Sequence, residues 1–151
     1  MDLFRHLGHI ALRVSDLDKS LSFYKKLGFR EMTRLLNDQG EAWIVYLRIN
    51  DDQYLELFPK GVKRPQTGPD VIGIFHICLT VDDIDKTFAE LAEAGIQPSQ
   101  PRQTKRGIDG NRGGWIEDPD GTQIEVMEMA PHCIQLKAIE KLRGGNRLTG
   151  L

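Results

Sequence analysis

Four side chains stand out for chemistry they can share. His9 and Glu56 are 47 residues apart, and His76 and Glu125 are 49 apart. Each glutamate sits inside an apolar stretch: YLELFP (Tyr54–Pro59) and QIEVMEM (Gln123–Met129). Burying an unpaired carboxylate among such residues is costly. Imidazole nitrogen and carboxylate oxygen together suit a divalent cation such as zinc, nickel, iron or manganese. Two carboxylates would also offset the charge of that ion.

The spacing is matched because the chain repeats itself. HIALRVSDLDKSLSFYKKLGF (His9–Phe29) aligns without a gap on HICLTVDDIDKTFAELAEAGI (His76–Ile96), at an offset of 67. Identical pairs include His9/His76, Ile10/Ile77, Leu12/Leu79, Val14/Val81, Asp16/Asp83, Asp18/Asp85, Lys19/Lys86 and Gly28/Gly95. A single strand histidine is more often a hydrogen-bonded structural residue, and a single strand glutamate most often faces solvent. The duplication of His and Glu at corresponding places is what raises these four above that background. His6 and His132 have no counterparts, and Glu128 falls on the opposite strand face from Glu125.

Each copy must position its pair with the same elements. A strand comes first, with Ile10, Leu12 and Val14 (or Ile77, Leu79 and Val81) on one face and the histidine on the other. Ser15 or Asp16, and Asp82 or Asp83, are placed to cap the helices that follow. Leu17, Leu21, Tyr24 and Leu27 form an apolar stripe in the first helix, as Ile84, Phe88 and Leu91 do in the second. Gly28 and Gly95 fit the position just past a helix end. Short strands follow: Phe29–Leu36, Glu41–Ile49 and Gln53–Phe58 in the first copy, and Ile96–Gln103, Gly113–Asp118 and Thr122–Met129 in the second. NDQG, NDDQ and DPDG supply the turns. Each copy is thus expected to be a βαβββ module, at about residues 7–58 and 74–129. They form one domain over residues 1–130, joined by the linker Pro59–Gly73. The tail, residues 131–151, is expected to form a short helix at Ile134–Leu142 and then to fray.

Composition narrows the function classes. The 151 residues are 40% hydrophobic and 28% charged, with a formal net charge of −2. That is the profile of a soluble globular chain and suggests no nucleic-acid or membrane partner. No apolar run approaches the ~20 residues of a membrane helix, and the N-terminal residues do not read as a secretory signal. Cys78 and Cys133, the two cysteines, are expected as free thiols in a reducing cytoplasm. A basic loop, PRQTKRGIDGNRGG (Pro101–Gly114), carries Arg102, Lys105, Arg106 and Arg112. It is read either as a clamp for an anionic substrate, with Asn111 and Arg112 nearest the site, or as a solvated loop.

The stretches HIALRVSDLDKSLSFYKKLGF, YLELF, FHICLTVDDID and WIEDPDGTQIEVME together resemble the vicinal oxygen chelate superfamily, which covers glyoxalases, bleomycin-resistance proteins and dioxygenases. The resemblance spans about Leu7 to Met129. It implies an α+β fold in which two βαβββ modules build an incomplete barrel-like sheet around a metal site. Within the superfamily the set is similar to glyoxalase I, lactoylglutathione lyase. On that resemblance His9, Glu56, His76 and Glu125 hold one divalent metal ion, nickel or zinc first and iron, manganese or cobalt next. Arg13 corresponds to an arginine that contacts the glutathione carboxylate. The implied reaction isomerises the hemithioacetal of methylglyoxal and glutathione through an enediolate, with the proton moved by Glu56 or Glu125. A cytoplasmic homodimer is the implied assembly. Where the bacterial enzyme continues with polar residues after its first glutamate, this chain has Phe58, Pro59 and Lys60. The alternatives are another metalloenzyme of the superfamily (an epimerase, an extradiol dioxygenase or a thiol transferase) acting on a different small anion, and a metal-free drug-binding protein.

Overall fold

A computed structural model describes residues 6–63, 70 and 72–143. Its elements run in the order β1 (His9–Arg13), α1 (Leu17–Lys26), β2 (Arg30–Leu36), β3 (Ala42–Arg48), β4 (Tyr54–Phe58), β5 (Ile77–Val81), α2 (Ile84–Glu93), β6 (Arg112–Glu117), β7 (Gln123–Glu128) and α3 (Ile134–Arg143). The fold is mixed α+β, with two open sheets of four and three strands. Two compact units divide the chain. One runs to residue 71 and takes in Asp118–Gly121; the other holds Ile72–Glu117 and the chain from Thr122 onward. The expectations for residues 144–151 and for most of the linker, residues 64–69 and 71, lie outside the described residues.

The repeated letters produce repeated caps. Asp16 and Asp83 each sit in extended backbone at a helix N-cap. Their carboxylates accept the amide protons of Lys19 at 3.1 Å and Lys86 at 2.9 Å, satisfying donors that the first helical turn leaves open. Both helices also end alike. Gly28 (φ 84°) and Gly95 (φ 77°) take the left-handed conformation that glycine adopts without a Cβ penalty. The next residue's amide then closes back: Phe29 to the Tyr24 carbonyl at 3.0 Å and Ile96 to the Leu91 carbonyl at 2.8 Å. That pattern is the Schellman motif, and it carries Phe29 and Ile96 into burial.

In the first unit the sheet order is β1-β4-β3-β2, with β1 parallel to β4. Val45, Leu47, Leu55 and Leu57 are buried on one sheet face, each stabilising the fold by about 2 kcal/mol. His9, Glu56 and Tyr46 occupy the other face, as alternation requires. The second unit has the order β5-β7-β6. Its core is Ile77, Ile84, Phe88, Leu91, Ile96, Ile116, Ile124 and Val126. Gly114 permits that packing, because a Cβ there would stand 2.6 Å from the Phe88 ring.

Among the described residues, the second copy lacks one expected strand. Ile96–Gln103 forms only an isolated bridge between Gln100 and Trp115. Ser99 and Gln103 donate to the Trp115 and Gly113 carbonyls at 2.8 and 3.0 Å. Pro98 and Pro101 have no amide proton to donate, so a continuous ladder cannot form. The second module is therefore βαββ with a bridged segment along β6.

The DPDG turn closes with Gly121 donating to the Asp118 carbonyl at 3.0 Å. Asp118 is buried and accepts the Tyr24 hydroxyl at 2.8 Å. Asp120 accepts both the amide and the hydroxyl of Ser15. Burial and the nearby Asp118 charge hold the Tyr24 hydroxyl protonated, well above its ordinary pKa. Replacing Tyr24 with Phe should lower unfolding free energy by about 1–3 kcal/mol, read as a lower urea midpoint with unchanged slope; an unchanged midpoint would show that the bond contributes nothing.

Candidate metal centre

The parallel pairing of β1 with β4 sets Ala11 opposite Glu56. His9, two residues before Ala11, shares that face, and its Nε2 lies 3.5 Å from Glu56 Oε2. The second unit repeats the arrangement. Cys78 is opposite Glu125 across β5 and β7, and His76 Nε2 lies 3.3 Å from Glu125 Oε2. The Glu56 side chain is 13% exposed and that of Glu125 23%, so both carboxylates are largely withdrawn from water beside an imidazole. Aromatic rings wall each pair. His9 stacks on Tyr54 at 5.2 Å, with Tyr46 tilted against Tyr54 at 5.9 Å. His76 meets Trp115 edge-on at 4.9 Å and Phe75 at 5.2 Å.

The donor separations bear on a metal. Two donors each about 2.1 Å from one ion stand about 3.0–3.4 Å apart. Charge-assisted hydrogen bonds are shorter, at about 2.7–2.9 Å. Both pairs lie nearer the first range, so each His–Glu pair fits two ligands of one ion. The pairs are made separately: among the described residues no group of three or more His, Cys, Asp and Glu is gathered for a metal. Among the described residues, His76 Nδ1 is buried without a hydrogen-bond partner. Ring orientation there rests on the Trp115 and Phe75 edges rather than on the hydrogen bond that commonly fixes a ligand histidine.

The three expected substrate contacts have separate fates. Arg13 lies on the His9 face, over the Phe58 ring at 5.3 Å and 3.4 Å from the Pro59 carbonyl. Asn111 is buried. Its amide nitrogen donates to Asp109 at 2.8 Å and Gln135 at 3.1 Å, and its oxygen accepts the Ala130 amide at 3.0 Å. These bonds fasten the loop to the start of α3. Arg112 is opposite Glu128, on the helix-facing side of β6, and pairs with Asp85 at 2.8 Å and Glu128 at 3.6 Å. Trp115, not Arg112, is the β6 residue opposite Glu125. Arg102 and Arg106 are likewise paired, with Asp85 and Glu128. Much of the basic loop's charge is thus matched within the second unit.

Several residues around Glu125 were not singled out from sequence. A Cβ at Gly113 would stand 3.2 Å from Glu125 Oε1 and 3.6 Å from Gln103 Oε1, so the bare glycine leaves the carboxylate its room. Strand alternation could have marked Gly113 and Trp115, once β6 was known to pair with β7. Cys78 could have been found from the repeat, since it replaces Ala11.

The family model described as Glyoxalase/Bleomycin resistance protein/Dioxygenase superfamily matches residues 6–126. The chain belongs to that superfamily. Superfamily members are mostly enzymes and generally bind a divalent metal. The chain is 34% identical over 129 residues to Uncharacterized protein YwkD of Bacillus subtilis, covering 83% of this chain and 98% of that protein. It is 30% identical over 125 residues to a lactoylglutathione lyase of Haemophilus influenzae, covering 80% and 90%. A glyoxalase family protein from Enterococcus faecalis superposes with a TM-score of 0.71 at 26% identity, covering 83% and 98%.

Cys78 is exposed as a residue, yet partial desolvation of its sulfur, then the Glu125 charge and a hydrogen bond to it, push the thiol up to about 12. A raised pKa leaves less thiolate at any pH below it. In metal-free protein at pH 8, Cys78 should therefore alkylate with iodoacetamide at least about tenfold more slowly than an unperturbed thiol. Glu125→Gln should speed it; labelling at the free-thiol rate would contradict this placement.

Proposed function

We propose that this superfamily member is a metal-dependent isomerase of the lactoylglutathione lyase type. The observation that carries the reading is the duplicated His–Glu pair, with donor separations suited to a shared ion. His9, Glu56, His76 and Glu125 would hold that ion, nickel or zinc by their nitrogen and oxygen donors, with iron, manganese or cobalt as further candidates. When bound, it would supply Lewis-acid stabilisation of negative charge developing on adjacent substrate oxygens. The chain's own residues would do the rest. Glu56 or Glu125, each sheltered beside an imidazole, would carry the proton between neighbouring carbons. Arg13, on the Glu56 face, would orient an anionic group of the substrate. Tyr54, Tyr46, Trp115 and Phe75 would limit water around the carboxylates. The relatives named lactoylglutathione lyase support the hemithioacetal of methylglyoxal and glutathione as substrate. A homodimer is the proposed assembly.

One local feature favours a second reading, in which the same chemistry acts on another small anion. After Glu56 the chain turns through Pro59 and Lys60, with Lys60 at φ 63° and its ammonium 2.6 Å from Glu41. The polar side chain that the turn offers, Lys60, is held by Glu41.

The test is thioester formation from methylglyoxal and glutathione, measured with metal content. Purified protein should carry close to one metal per site, and Glu56→Gln should lower both occupancy and kcat/KM by at least about 100-fold. Full activity without metal would overturn the centre. Bound metal without thioester formation would select the second reading.

A further inference from the structure

The row of strand positions that begins at His9 ends in two arginines. His9 is opposite Tyr54 across β1 and β4, Tyr54 opposite Arg48 across β4 and β3, and Arg48 opposite Arg30 across β3 and β2. Residues paired in this way project from the same sheet face. Like charges directly opposite one another destabilise a strand pair, yet Arg30 and Arg48 are so placed. Both are exposed.

The other face of β2 treats its arginine differently. Arg34 is held by Glu31 through two bonds of 2.6 Å. Among the described residues Arg30 forms no ion pair. Arg48 has Asp51, in the β3–β4 turn, at 2.5 Å. Asp51 is 91% exposed, so its hold on Arg48 is readily exchanged for another oxyanion.

We infer that Arg48 and Arg30 form an oxyanion subsite, recognising a carboxylate or a phosphate of the ligand that reaches the His9–Glu56 pair. Guanidinium forks match either group bidentately, and an anion between them turns their repulsion into attraction. Strands about 4.8 Å apart put Arg48 about 10 Å from His9 along the row. The Tyr54 ring, stacked on His9 at 5.2 Å, lies between them as a floor for the intervening atoms. Asp51 occupies Arg48 until the ligand anion replaces it. The subsite's place in catalysis rests on the proposed metal centre; its capacity to bind an oxyanion does not.

The test uses the metal-free 151-residue chain labelled with ¹⁵N. Arginine Nε–H resonances are followed while inorganic phosphate, and separately acetate, is titrated at constant ionic strength. The Arg30 and Arg48 signals should shift together and saturate, while Arg34 stays still. Saturation by acetate alone marks a carboxylate subsite, and saturation by phosphate alone a phosphate one; either supports the assignment. Asp51→Asn should tighten binding at least about threefold. Arg30→Gln should abolish the Arg48 shift, and Arg48→Lys, which keeps the charge without the fork, should weaken binding severalfold. Shifts that never saturate, or saturation that survives in the Arg30→Gln/Arg48→Gln protein, would overturn the inference. Because no turnover is measured, a chain that fails as a lyase could still pass this test, and an active lyase could fail it.

Discussion

Everything in the proposed centre depends on placing a carboxylate in a strand whose neighbouring residues are buried. Glu56 lies between Leu55 and Leu57, which are essentially inaccessible to water. Those leucines fix the register and face of β4, since a slip by one residue would expose them. Glu56 is thereby forced onto the opposite face, where His9 projects from the neighbouring strand. The second unit imposes the same constraint through Ile124 and Val126. Hydrophobic burial on one face thus sets the polar geometry of the other, at 3.5 and 3.3 Å in the two copies.

The two copies have diverged around this shared constraint. In the first, Ala11 is the small neighbour of Glu56 and the walls are tyrosines. In the second, Cys78 is opposite Glu125, Gly113 leaves space for it, and the walls are Trp115 and Phe75. The glutamates therefore have different neighbours although their histidines stand at similar distances. The arginines diverge too. In the second unit Arg102, Arg106 and Arg112 are consumed by Asp85 and Glu128, which tie the long loop to the start of α2, where the Ile84 amide also donates to Glu128.

The sequence made some of this legible and hid the rest for physical reasons. The His–Glu pairs, the aspartate caps and the C-terminal glycines were readable because each rests on local spacing, and the duplication repeated every signal. Strand ends agreed to within a residue or two wherever alternation was strong. The missing strand at Ile96–Gln103 failed on its prolines, which β-forming neighbours could not offset. Asn111 and Arg112 read as site residues because a basic, glycine-rich loop gives no indication of facing. Only the pairing of Arg112 with Glu128 shows that it points toward the helix side. Arg30 and Arg48 escaped notice because their juxtaposition depends on the register of β2 against β3, which shifts between Glu31 and Thr33, and no local pattern encodes that shift.

The centre proposed above would set two imidazoles and two carboxylates on one ion. X-ray absorption of the nickel- or zinc-loaded protein tests it most directly. The account predicts a shell of nitrogen and oxygen at about 2.0–2.2 Å, with outer scattering from two imidazole rings. A sulfur scatterer at about 2.3 Å, or an oxygen shell without imidazole, would contradict it.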